Sequence, residues 1–124
     1  MKKFLCTILA MIVSICLLAC VPTNMDNAEK KMKKEGYTVL RYSGDELSSL
    51  LNSFMITEAE GVVGGLMANK AEGSFEVDSL VALLFESEKA AKAFYDSLSV
   101  KSSVIQEGKW VYMGTEDGIE DFED

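Results

Sequence analysis

Histidine is absent from this chain of 124 residues, and its three cysteines, Cys6, Cys16 and Cys20, all lie at or before position 20. Beyond that point there is neither a thiol nor an imidazole. A Ser-His-Asp or Cys-His nucleophile cannot be assembled there, zinc sites of the Cys/His kinds are excluded, and no disulfide can staple the fold. Serine is plentiful, yet none stands three residues before a lysine, so a Ser-x-x-Lys arrangement is missing as well. Positive charge is scarce: 12 basic side chains face 20 acidic ones, for a formal net charge of −8. A chain of that sign is repelled by phosphate backbones, which argues against a nucleic-acid partner.

The longest apolar run is at the start. Lys2-Lys3 precede it, and only Thr7 and Ser14 interrupt it between Phe4 and Cys20. It falls short of the roughly 20 apolar residues of a spanning helix and stops at Pro22, before polar Thr23-Asn24. A positive start, an apolar middle and small residues at the end describe a secretory signal peptide.

Within that segment, Leu17-Leu18-Ala19-Cys20 resembles the lipobox of bacterial lipoproteins: an aliphatic residue three before the cysteine and a small one just before it. The resemblance implies a diacylglycerol on the Cys20 sulfur and cleavage between Ala19 and Cys20. Residues 1–19 are then a lipoprotein signal peptide and residues 20–25 a short tether. The implied location is the extracytoplasmic face of the cell membrane, or the outer membrane in an organism that has one. An ordinary cleaved signal or an uncleaved anchor are the competing readings. A single acyl chain binds a bilayer only marginally, whereas two hold firmly, so a diacylglycerol makes the membrane itself the first partner.

Lys2 and Lys3 depart with the leader, leaving 10 basic against 20 acidic side chains. Residues 26–124 are enough for one small domain and too few for two. Asp26, with Glu29 three residues on, predicts a helix start, and Gly36 its left-handed end. Residues 37–42 read as a strand. Leu47, Leu50, Leu51 and Phe54 form a helical stripe after a turn at Ser43-Gly44-Asp45. Residues 62–68 and 80–85 read as strands on either side of a loop at residues 71–74. Ser87 caps a third helix with Ala91, Phe94, Tyr95 and Leu98 on its apolar face. Residues 104–105 and 110–113 read as strands joined by a turn at Glu107-Gly108, and Thr115 caps a short acidic terminal helix. Mixed elements without strict βαβ alternation predict an α+β domain, with an antiparallel or mixed sheet packed with about three helices. The nearest known arrangement is ferredoxin-like.

Candidate sites are few. Gly61, Gly64 and Gly65 lie inside a strand-like run with no Gly-Lys-Ser/Thr, so they predict a bulge or a close helix approach and not a phosphate loop. The carboxylates from Glu116 to Asp124 lack calcium-loop spacing, and predict a solvated acidic tail. Trp110 with Tyr112, and Tyr37 with Tyr42, are stacking candidates, but strand aromatics at period two more often fill a core. No cofactor or metal is implied. The function expected is a non-catalytic binding or protein-interaction module. A carboxylate-based hydrolase of an envelope polymer and a structural accessory subunit of an envelope complex are the alternatives. Residues 80–85 are apolar at every position, unlike a one-sided sheet. Either helices cover both faces, or an apolar face is left for a protein partner or a second copy, and the latter is the expectation. The anchor reading is checked directly: wild-type protein should incorporate labelled fatty acid, and Cys20→Ser should remain an unlipidated precursor.

Overall fold

The computed structural model describes residues 21–71, 73 and 76–123; the leader, Ala19 and Cys20 lie outside the described residues. Chain order is α1 (Met25–Lys34), β1 (Thr38–Tyr42), α2 (Gly44–Ser53), β2 (Val62–Ala71), β3 (Val77–Phe85), α3 (Glu88–Ser97), β4 (Val104–Glu107), β5 (Trp110–Gly114) and α4 (Glu116–Glu123). The strands form one sheet in the order β1-β2-β3-β5-β4, with every neighbouring pair antiparallel. The α+β expectation holds.

The ferredoxin-like expectation holds only for the second half. β3, α3 and β4 make a crossover whose two strands run the same way with β5 between them, a split βαβ unit. In the first half, residues 54–61 return along the domain after α2. β2 therefore starts at the end where β1 finished and pairs with it antiparallel.

Strand alternation sends Leu80 and Ala82 to one face, and Leu83 and Phe85 to the other. On the first face they join Met25, Ala28 and Met32 of α1, Trp110 and Tyr112 of β5, and Phe122 of α4. On the second they join Leu47 and Leu50 of α2, Ala91 and Phe94 of α3, and Val111. Among the described residues two helices cover each face, and the fourth is the terminal one.

Three local departures have physical causes. α1 begins one residue before Asp26: Asn24, extended at φ −154°, caps it by accepting from the Asn27 N–H at 2.8 Å, while Asp26 instead accepts from Arg41 at 2.6 Å. The acidic terminus is no solvated tail. Thr115 Oγ1 accepts from the Gly118 N–H at 3.2 Å, as its capping role predicts, and Phe122, fully buried, meets Trp110 edge-on at 5.1 Å between ring centres. One apolar side per turn is enough to bury a helix whose other sides are charged. Nor is the tether free, because Pro22 is buried and Val21 packs against the first face.

Glycines set the closeness of the layers. The ladder shifts register between Val62 and Gly64, the predicted bulge. A Cβ at Gly65 would stand 3.0 Å from Leu47 Cδ1 and 3.1 Å from Leu50 Cδ2, so α2 lies directly on β2. At Gly118 a Cβ would run into the Ser79 carbonyl, so α4 docks on β3 only without a side chain there. Gly118→Ala is therefore expected to destabilise by about 1–3 kcal/mol, read as a lower urea midpoint at unchanged slope. Gly73→Ala, facing open space, should stay within about 0.5 kcal/mol of wild type.

Candidate functional site

α2 lies over β1 and β2, and α3 over β3, β5 and β4. The gap between them leaves part of the second face uncovered. Val81 and Leu83 of β3 and Val111 and Met113 of β5 line its floor; Leu50, Leu51, Phe54 and Ile56 form one wall; Phe94, Leu98, Val100 and Val104 form the other. The groove holds about 390 Å³. Ser103 is the polar side chain of its lining, since the Tyr112 hydroxyl is turned to the opposite face, where it donates to Glu123. Periodicity had identified the α2 stripe, but the end of that stripe is not core: Phe54 is 41% exposed.

The end of α2 carries a conformational cost beside the groove. Ile56 N–H donates to the Leu51 carbonyl at 2.9 Å and Met55 N–H to that of Asn52 at 2.9 Å, the two bonds of a Schellman cap. The left-handed position of that cap is normally glycine, because a Cβ there crowds the carbonyl. Here it is Met55, at φ 60°. Its side chain gains no burial in return, being 90% exposed. Met55 stands in the chain between Phe54 and Ile56, which line the groove, and Val100 and Met113, 71% and 38% exposed, add apolar surface to that lining.

The other candidates resolve differently. A second cavity of about 410 Å³ is bordered by Glu58, Glu60, Glu86, Ser87 and Lys89. It gathers carboxylates, but all three glutamates are exposed, unlike the acid of a carboxylate-based hydrolase, which sits in an apolar pocket. Trp110, Tyr112 and Tyr37 are buried and Tyr42 half-buried, so the aromatic pairs form core and not a stacking platform. Tyr37 donates to Asp121 at 2.7 Å and Tyr112 to Glu123 at 2.6 Å. Burial first, and then the carboxylate it serves, pushes each phenol above its ordinary range, so both remain donors that fasten α4 to the sheet. Gly64 and Gly65 face helix side chains, as close-approach positions do. Among the described residues no group of three or more acidic side chains is placed to hold a metal ion, and no helix is long and apolar enough to cross a membrane.

Comparison with family models, with curated proteins and with solved structures gave no match to this chain.

Glu107 is a carboxylate whose setting favours the proton. Burial first, and then the charges of Glu123 and Glu88, raise it above the usual carboxylate range. It borders neither cavity described above. A carboxyl raised in the native state binds protons more tightly there than in the unfolded chain. Its contribution is therefore favourable at low pH and is lost as pH rises through the raised value. Glu107→Gln should consequently melt higher than wild type at neutral pH. The two should melt together at about pH 4, below the ordinary glutamate value.

Proposed function

We propose that this protein is a lipid-anchored, non-catalytic binding module that takes an apolar ligand in the groove between α2 and α3. The groove itself carries the reading. At about 390 Å³ it lies within the roughly 300–1,000 Å³ of small-ligand sites, whose linings are mainly hydrophobic with few polar groups. Here the lining offers a single hydroxyl, so affinity comes from removing apolar surface from water, and selectivity comes from shape. The lack of histidine and of a thiol beyond Cys20, with the exposure of the acidic cleft, supports binding over hydrolysis.

Met55 supports the same reading from energetics. Glycine at its position would relieve about 1 kcal/mol of backbone strain, and an exposed side chain returns nothing to stability. A flexible, polarizable methionine next in the chain to two lining residues of an apolar groove adapts well to a bound surface.

Residues 21–124 should bind a naphthylamine dye or a medium-chain fatty acid saturably. Val81→Glu, which charges the floor, should weaken binding tenfold or more. Met55→Gly should raise stability by about 1 kcal/mol while weakening binding. Absence of saturable binding, or binding indifferent to Val81→Glu, would refute the reading.

A further inference from the structure

The chain is held to the domain from the first residue after Cys20. Val21 packs against the core of the first face. The buried Trp110 Nε1–H donates to the Pro22 carbonyl at 2.8 Å. Thr23 Oγ1 accepts from Asn27 Nδ2 at 2.8 Å, and Asn24 caps α1. Since consecutive Cα atoms are about 3.8 Å apart, an anchor on the residue before Val21 is joined to the domain without a spacer.

That exit is at a definite end. Trp110 opens β5 opposite Leu84 and Glu107. The same end holds the Gly108–Lys109 turn, the start of β2, and the first turns of α1, α2 and α3. The groove begins at Leu83 and Val111, one residue along the ladder from Leu84 and Trp110, and extends toward the other end over Val81, Met113, Val104, Phe54 and Leu98. From Trp110 to Met113 the strand rises about 10 Å, and Trp110 faces the α1/α4 side while the groove opens on the α2/α3 side.

We infer that the bilayer meets the β4–β5 turn end of this domain, and that the Pro22–Trp110 clasp keeps the mouth of the groove turned away from the membrane. The inference rests on the lipid-anchor reading and adds an orientation to it. The groove is then loaded from the aqueous side and not from the lipid layer. Glu60, Glu86 and Glu107 lie near the membrane-facing end and repel anionic head groups, so the anchor and the clasp hold the pose, and phosphatidylcholine is the clean test surface.

The mature lipoprotein, with no other thiol in its sequence, is labelled with a bimane at Lys109→Cys or at Val100→Cys. It is then placed in phosphatidylcholine vesicles containing spin-labelled lipid. Quenching should be at least twofold stronger at position 109 than at 100. The difference should collapse in Trp110→Phe, and equally when about ten Gly/Ser residues, a flexible coil, are inserted between Cys20 and Val21. The insertion leaves the core intact, so it decides the matter even if Trp110→Phe fails to fold. Equal quenching at both positions in lipidated wild type, or a difference that survives the insertion, overturns the inference alone. Failure of the wild type to take up labelled fatty acid and to float with vesicles overturns the anchor reading and this inference together.

Discussion

The central strand β3 is apolar on both of its faces, and the rest of the fold answers that constraint. Leu80 and Ala82 look one way, Leu83 and Phe85 the other. A sheet of this kind is stable in water only when both sides are covered. The domain covers them with two pairs of amphipathic helices and without covalent staples. α1 and α4 come from the two ends of the described chain and share one face; α2 and α3 share the other. The return of residues 54–61 along the second face lets β1 and β2 sit as antiparallel neighbours with α2 lying above them.

The first face is closed by specific polar contacts as well as by burial. Trp110, Tyr112 and Phe122 interlock. The indole N–H finds the Pro22 carbonyl, and two phenols find carboxylates of α4. A buried donor left without a partner would cost about 1–3 kcal/mol. These pairings therefore bind both termini of the domain to the sheet, and the residues that join it to its proposed anchor become part of its core. The acidity of α4 is compatible with this, because its charges ring an apolar edge formed by Ile119 and Phe122.

The second face is less complete. Two ten-residue helices do not span the width of a five-stranded sheet, and the uncovered strip between them is apolar. Its edge carries exposed Phe54, Met55 and Val100, and Met55 occupies a backbone position suited to glycine. Incomplete cover and local strain coincide at one place on the surface. That is the pattern expected where binding and not stability sets the choice of residue. The clasp at the opposite end adds a direction to that site.

Much of this was legible in the residues alone, wherever a local rule governs. The period of the α2 and α3 stripes, the caps at Ser87 and Thr115, the left-handed Gly36 and the turn at Gly108 depend on the chain within a few residues of each position, and each lies where the sequence places it. So does the α+β class, which follows from the order of such elements. The close-approach role of Gly64 and Gly65 was readable from their place in an apolar run, though not which helix each would meet. The groove was not readable, since its floor and two walls come from segments as far apart as Leu50 and Met113 and its existence depends on how widely α2 and α3 are set. The strain at Met55 was hidden because methionine announces no turn. Burial of Phe122 and the docking of Pro22 on Trp110 pair residues from opposite ends of the chain. Periodicity reports which side of an element is apolar; only the tertiary arrangement decides what that side touches, and how much of it is left open.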